Sequence, residues 1–406
     1  MSHYGLLGEK LGHSYSPQIY AMLGDYEYRL YEKSEHEVDD FIRHGDWDGL
    51  NVTIPYKIRA YRLCDTLTDR AIAIGSVNTI VKKDGRIYGD NTDAYGFDLM
   101  IEKSKIDVSG KKVLVLGSGG ASLAVRYVLE QKGADSIIAI SRSGSDNYDN
   151  ISKHSDASII VNTTPVGMYP NNDKTPVDLG IFDSLDGVLD IIYNPQSTRL
   201  TMQAEELGIK YMSGLYMLVA QAAGSYESFT GVKTDTHVID DIMSRLSMQM
   251  KNIVLVGMPG SGKSTLALKL GQHLHREVVD CDSEIEKEAG NIPDIFARYG
   301  EELFRGMETD VLARICSQSA RVIATGGGAV TRDENYAHMH QNGIIVWVRR
   351  NLDELPIDGR PISQQNDISE LYAKRESLYR KFADIEIEND GDIDAVVVKL
   401  IQDLES

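Results

Sequence analysis

Short apolar runs rich in Val, Ile and Leu recur along the chain: "KKVLVLG", "DSIIAIS", "ASIIVNTT", "VLDIIYN", "KNIVLVG", "RVIATGG" and "GIIVWVR". Longer amphipathic stretches separate them, among them "STLALKLGQHL" and "ISELYAKRESLYRKFAD". Strand-like runs alternating with helix-like ones predict βαβ units and largely parallel sheets, an α/β fold class. The pattern is interrupted twice. "KSKIDVSGKK", near Ser104 to Lys111, and "SRLSMQMKN", from Ser244 to Asn252, are polar and each precedes a strong strand. They divide the chain into residues 1–103, residues 104–246 with a helical tail, and residues 251–406. Three units fit a 406-residue chain, since domains run to roughly 100–200 residues.

Composition changes this picture little. The 42% hydrophobic and 25% charged residues are those of an ordinary globular protein, and no apolar run reaches the roughly 18 residues of a membrane span. The start, "MSHYGLLGEKLGHSYS", has neither the basic and apolar regions of a secretory signal nor the Arg-rich look of a transit peptide. Cys64, Cys281 and Cys316 lie far apart in no metal-ligand spacing, which suits reduced thiols and a cytoplasmic location. A net charge of −19 disfavours nucleic acid and anionic membranes as partners, because both are polyanions that need clustered Lys and Arg. If the ligands are anions, the basic residues that hold them are local exceptions.

Two glycine-rich loops carry candidate chemistry. In "VGMPGSGKST", Gly257, Gly262, Lys263 and Ser264 complete G-x-x-x-x-G-K-[ST], with Gly260, Ser261 and Thr265 filling the loop. It follows the strand "NIVLV" and opens a helical stretch, the context in which backbone N–H groups wrap phosphates. Lys263 then reaches the β and γ phosphates and the Ser264 hydroxyl ligates Mg²⁺, so ATP with Mg²⁺ is the expected ligand. The other loop, "GSGGAS", has Gly117, Gly119, Gly120 and Ala121, with Ser122 where a third glycine would stand. Alone it is a weak signal. The next strand, "SIIAI", ends in Ser141, Arg142 and Ser143 without an acidic residue to hold ribose hydroxyls, and arginine with hydroxyls suits a 2′-phosphate; the expected dinucleotide is NADP(H).

The first hundred residues hold polar clusters that a fold alone does not need: "GHSYSP", "NVTIPYK", "GSVNT" and "GDNTDAYG". With "NTTPVGM", "DIIYNPQST" and "GLYMLVAQAA" further on, they make roughly the first 245 residues resemble shikimate dehydrogenases. The resemblance implies a substrate-binding α/β domain followed by a Rossmann-like NADP domain. It implies that Ser14, Ser16, Thr53, Asn78, Asn91, Asp93 and Gln221 hold the substrate's hydroxyls and carboxylate, with Lys57 and Asp93 as the catalytic pair and Tyr193 lining the cleft. Arg142 and its neighbours would take the 2′-phosphate, and Gly214 would border the cofactor. Lysine beside a carboxylate suits proton donation to an alkoxide formed by hydride transfer. The chain departs from the family pattern at Tyr20, where histidine is common, at Ser76, where alanine is usual, and at Tyr216, where glycine often occurs.

After the phosphate loop, "REVVDCDSEIE" puts Asp280 and Asp282 on one side of a strand at period two, one for the Mg²⁺ waters and one for an acceptor hydroxyl. Arg305 follows on an amphipathic stretch, then the triplet Gly326, Gly327 and Gly328, Arg360 in "LPIDGRPIS", and Arg375 on a last helix. Together with the phosphate loop these resemble shikimate kinases over nearly all of residues 251 to 390. The resemblance implies a P-loop kinase domain like nucleoside monophosphate kinases, a parallel sheet flanked by helices. Asp282 would orient the attacking hydroxyl, Arg305, Arg375 and the glycine triplet would clamp a small carboxylate acid, Glu308 would brace Arg305, and Arg360 would sit in a lid. That lid is short and acidic around Asp353, Glu354 and Asp358; many relatives carry another arginine upstream in this loop, and whether Arg349 or Arg350 takes its place stays open at this point.

The two resemblances imply one enzyme that reduces 3-dehydroshikimate to shikimate with NADPH and then phosphorylates shikimate with ATP. Two alternatives stay open at this point: quinate as the first substrate, and a C-terminal half that senses nucleotide. The basic clamp and Asp282 count against the second, since nucleotide binding alone does not need them.

Overall fold

The computed structural model describes residues 2–12, 14–355 and 368–405. The chain separates into two compact units, Met1–Met168 with Asp173–Met248, and Gln249–Ser406 with Tyr169–Asn172.

The first unit holds two sheets. One contains β1 (Tyr4–Gly8), β2 (Tyr28–Glu32), β3 (Gly49–Val52), β4 (Thr66–Leu67), β5 (Thr79–Lys83) and β6 (Arg86–Asp90) in the order β2-β1-β3-β5-β6-β4. The sequence pattern predicts largely parallel sheets, and this one is mixed: β1 is parallel to β2 and β3, whereas β5 runs antiparallel to β3 and β6. The reason is local. Asp84 and Gly85 both take positive φ, 51° and 72°, which suits a two-residue hairpin turn, and such a turn can join only antiparallel strands. Leu7, Leu50, Val52, Ile80 and Trp47 form the core on this sheet.

The second sheet, with β7 (Lys112–Leu116), β8 (Ser136–Ile140), β9 (Ile159–Asn162), β10 (Gly187–Asp190) and β11 (Tyr211–Ser213), is parallel throughout in the order β11-β10-β9-β7-β8. The chain leaves β7 for β8 on one side and then crosses to β9 on the other. This places the topological switch point, where α/β sheets bind ligands, at the C-terminal end of β7, where the Gly117 loop starts. Within this unit, helix Leu215–Thr230, which the sequence assigns to residues 104–246, packs along helix Thr92–Ser104. Glycines permit the close approach: a Cβ on Gly96 would press on Met217 and Gln221, and one on Gly224 on Tyr95.

In the second unit β12 (Asn252–Val256), β13 (Glu277–Asp280), β14 (Arg321–Ala324), β15 (Gly343–Arg349) and β16 (Ile385–Glu388) form a parallel sheet ordered β13-β14-β12-β15-β16. Apolar clusters cover both faces, so β12 is wholly buried at the centre with the phosphate loop at its end. Two expectations change here. Helix Ile368–Phe382 is not the last, because Ile393–Glu405 follows β16 and buries Val396, Val397 and Leu400 against Leu266 and Leu270. The helical tail runs past residue 246, since Thr236–Met250 is one helix whose Ile239, Ile242, Leu246 and Met250 are buried.

Candidate active sites

In the first unit, helix Thr92–Ser104 begins at the end of β6 and presents Asp93 in its first turn, where a carboxylate is favoured by the helix dipole. The Lys57 ammonium, at the start of helix Lys57–Leu63, donates to Asp93 Oδ2 at 2.5 Å. Asn78 Nδ2 donates to Asp93 Oδ1 at 2.9 Å and to Gln221 Oε1 at 3.3 Å. Four expected residues thus converge from four elements. Asn91 does not join them at the surface. It is fully buried, its Nδ2 donates to the Ser76 carbonyl and hydroxyl, and its Oδ1 caps the helix that carries Asp93. Ser76, one of the departures from the family pattern, is thereby an anchor for Asn91.

Ser14, Ser16 and Thr53 are half-buried around the ends of β1 and β3. Ser14 Oγ accepts from Ser16 N at 3.2 Å, and Thr53 N donates to the Leu7 carbonyl. Tyr193 meets Tyr15 edge-to-face at 6.1 Å, which brings it to the serine loop from the second sheet.

At the end of β7, Gly117 has φ 108°, and a Cβ there would meet Thr163 Oγ1 at 2.8 Å, so glycine is required. Gly119 caps helix Gly120–Gln131, and a Cβ on either Gly119 or Gly120 would point into open space. With Ala121 they offer a helix N-terminus to an anion. Arg142 and Ser143 are exposed beyond β8, with Ser141 half-buried. An acidic residue does lie in this loop: Asp146 accepts from Lys153 at 2.7 Å and from His154 at 2.8 Å, bonds that hold its carboxyl down at about 2. Its charge is thus paired within the loop. Gly214 precedes helix Leu215–Thr230, and any side chain on it would strike the Ile191 carbonyl. Sequence reading missed Asp190. Burial pushes this carboxyl up to about 7, and it accepts from Asn162, Ile192 and Thr198, tying together the loops after β9 and β10.

In the second unit a cavity of about 640 Å³ opens over β12. Its phosphate loop has Gly257, Gly260 and Gly262 at positive φ, and Lys263 is buried with Nζ donating to the Gly257 and Met258 carbonyls at 2.9 and 3.0 Å. Ser261 is buried, and Thr265 lines the cavity. Ser264 Oγ donates to Asp280 Oδ2 at 2.6 Å, which puts a hydroxyl beside a carboxylate, oxygen ligands of the kind Mg²⁺ takes. Asp280 and Asp282 are not a strand pair. Asp280 ends β13 and caps helix Cys281–Ala289 through Ser283 N, so Asp282 falls in the first turn of that helix. The helix turn still carries Asp282 into the cavity, where burial and the charges of Glu308 and Asp280 push its carboxyl up to about 6.

Arg305, Glu308 and Arg375 line the same cavity. Glu308 is fully buried, and its Oε2 accepts from Arg305 Nη1 at 2.5 Å. Arg375 Nη1 donates to the Gly327 carbonyl at 3.1 Å. Each glycine of the triplet answers a contact: a Cβ on Gly326 would meet Glu308 and Asp282, on Gly327 Pro259, and on Gly328 the Arg305 guanidinium. Arg350 lines the cavity, whereas Arg349 pairs with Glu386 and Glu388. Arg360 lies outside the described residues. Two supports had no signal in sequence: Tyr379, whose hydroxyl donates to the Gly327 carbonyl at 2.5 Å, and Asn389, whose amide donates to the Ser261 carbonyl at 2.7 Å.

The shikimate dehydrogenase substrate binding domain model matches residues 6–80, and the shikimate kinase model matches residues 259–405. The chain is 36% identical over 267 residues to a protein of Clostridium perfringens (strain SM101) named shikimate dehydrogenase (NADP(+)), covering 61% of this chain and 98% of that one. The chain belongs to the shikimate dehydrogenase family and continues into a shikimate kinase domain. Among solved structures, the dehydrogenase part is similar to a chorismate mutase/shikimate 5-dehydrogenase fusion protein from Clostridium acetobutylicum, with a TM-score of 0.58 and 36% identity over 61% of this chain and 97% of that one. It is also similar to the shikimate 5-dehydrogenase of Thermus thermophilus in complex with NADP(H) and shikimate, with a TM-score of 0.55 and 28% identity over 60% of this chain and 99% of that one. No helix of the described residues is long and apolar enough to cross a membrane.

Proposed function

We propose that this bifunctional enzyme reduces 3-dehydroshikimate to shikimate at the Lys57–Asp93 site and phosphorylates shikimate to shikimate 3-phosphate at the Asp282 site. The observation that carries the reading is the paired geometry: Lys57 against Asp93 in one unit, and Asp282 beside Lys263, Arg305 and Arg375 in the other.

NADPH supplies the hydride when bound, on Gly117, Gly119, Gly120 and Ala121, with Ser141, Arg142 and Ser143 at the 2′-phosphate and Gly214 beside the cleft. Ser14, Ser16, Thr53, Asn78 and Gln221 hold the substrate's carboxylate and hydroxyls, Asn91 supports Asp93 from beneath, and Tyr193 closes the cleft. As the ketone carbon becomes tetrahedral, Lys57 Nζ gives its proton to the oxygen. Asp93 holds that ammonium in line, and Asn78 holds Asp93.

Mg-ATP supplies the phosphoryl group when bound, on the loop from Gly257 to Thr265, with Ser264 and Asp280 as the metal side. Asp282 accepts the proton of the attacking hydroxyl. Arg305, Arg375 and Gly326 to Gly328 hold the acid's carboxylate, and Lys263 faces the transferred charge, a role that only the family resemblance extends to Arg360. Domain borders at 103/104 and between 246 and 251 follow from the same division of labour. Small molecules are the partners; the net charge of −19 argues against nucleic acid and anionic membrane. Three unpaired thiols suit a cytoplasmic enzyme.

The test supplies 3-dehydroshikimate, NADPH and Mg-ATP to the purified chain and follows NADPH loss and ADP formation together. Both signals are expected in sequence. A clear preference for quinate with NAD, or no ADP above background with shikimate, would overturn the corresponding half.

A further inference from the structure

Behind the Lys57–Asp93 pair lies a buried hydrogen-bond network that the reaction itself does not call for. Tyr20 and Tyr28, stacked at 4.0 Å, both donate to Asn51 Oδ1 at 2.7 Å. This fixes the orientation of the Asn51 amide, whose Nδ2 donates to Ser225 Oγ at 2.7 Å. Ser225 Oγ lies 2.7 Å from Thr79 Oγ1 and 2.8 Å from Thr92 Oγ1, and those two hydroxyls are 3.1 Å apart. Both threonine hydroxyls reach Asn78 Oδ1 at 3.2 Å, where Thr92 N also donates at 2.6 Å. Asn78 Nδ2 is thereby turned toward Asp93 and Gln221.

The network joins the tyrosine hydroxyls to the Asp93 carboxylate, and in the Ser225–Thr79, Ser225–Thr92 and Thr79–Thr92 contacts either hydroxyl can donate. Tyr20, Asn51, Thr79, Thr92, Asn78 and Ser225 are all buried, so a missing partner cannot be replaced cheaply by solvent. Ser225 is the hub. It sits on helix Leu215–Thr230, one turn beyond Gln221, whose carbonyl accepts its hydroxyl at 3.1 Å. Through Asn51 it is tied to β3, through Thr79 to β5, and through Thr92 to the helix that carries Asp93. Thr79 has as many partners, but it meets the Asn51 amide only at 3.5 Å.

Building on the site assignment above, we propose that Ser225 is a positioning residue for the dehydrogenase reaction: it holds helix Leu215–Thr230 in register so that Gln221, Asn78 and Asp93 meet one substrate. It touches neither substrate nor cofactor.

The experiment compares Ser225→Ala, Gln221→Ala and the double variant in the full chain, with kinase turnover of added shikimate as the internal control for folding. Removing the hub hydroxyl leaves Asn51 and two threonines short of a partner, a loss worth about ten-fold in KM for 3-dehydroshikimate. Several-fold loss in kcat, an unchanged KM for NADPH and unchanged kinase turnover are expected alongside. Because Ser225 positions Gln221 among the groups it holds, the two losses should be less than additive. An active-site effect on Gln221→Ala with none on Ser225→Ala would overturn this inference alone. Fully additive losses, or equal rises in both KM values, would reduce Ser225 to a general stability residue and also overturn it. A silent Gln221→Ala would overturn the site assignment and this inference with it.

Discussion

Glu308 grips Arg305 with one carboxylate oxygen at 2.5 Å, while its other oxygen faces the backbone of Gly326 with no hydrogen-bond partner in the described structure. Both side chains are nearly inaccessible, at 0% and 6%, and breaking such a pair from one side strands a buried charge. Glu308→Ala should therefore destabilise the kinase unit by about 3–5 kcal/mol and raise its KM for shikimate. Urea unfolding followed by a kinase-unit probe checks this, with dehydrogenase turnover expected to persist.

The glycine triplet has no room for a methyl group. In Gly328→Ala the new Cβ would overlap the Arg305 guanidinium, and in Gly326→Ala it would overlap Glu308 and crowd Asp282. Either change should lower kinase kcat/KM by about 100-fold or more, since small displacements of positioning groups are costly. Steady-state kinetics with shikimate and with 3-dehydroshikimate on the same preparation separates this from unfolding.

Asp282 couples stability to activity in opposite directions. Its folded pKa of about 6 stands above the ordinary 3.8, chiefly through burial and then through the Glu308 and Asp280 charges. The stabilisation from this raised group is full below the unfolded value and is lost as pH rises through about 6. Above that pH Asp282→Asn should stabilise the kinase unit, by up to about 3 kcal/mol. The reaction needs the ionised form, so kinase kcat/KM should rise with pH through about 6, and Asp282→Asn should abolish it. Melting curves and rate profiles between pH 5 and 8 read the two effects; a flat rate profile would count against Asp282 as the proton acceptor.

Lys57 and Lys263 should separate the two reactions. Lys57→Ala leaves Asp93 without its ion pair and should cut NADPH oxidation by about 100- to 10,000-fold, with phosphorylation of added shikimate intact. Lys263→Ala should do the reverse. Loss of both activities from either change would show that the sites are not independent.

Arg142 should decide between the dinucleotides. It is exposed beyond β8, and the nearby Asp146 is neutralised by Lys153 and His154. Arg142→Ala should raise KM for NADPH by about ten-fold or more, the value of a charge-assisted contact, and leave KM for NADH unchanged. An equal rise for both would mean that Arg142 does not meet the 2′-phosphate.

The amino-acid sequence alone determined what is local. A phosphate loop is legible because strand, glycines, lysine and helix start are contiguous, and the buried strands are legible because each is a run of apolar residues. Lys57 and Asp93 drew attention only through clusters of polar residues matched to a family, since their pairing spans 36 residues. Tertiary structure decided the rest. It made Asp280 a helix cap where period two suggested a strand neighbour of Asp282, because the strand stops at Asp280 and the cap satisfies the free N–H of Ser283. It brought Ser225 to Thr92 across 133 residues, Asn389 to Ser261 across 128 and Tyr379 to Gly327 across 52. Such contacts leave no periodicity in the chain. A buried polar atom needs a partner of the right geometry, and only the folded arrangement determines which segment supplies it.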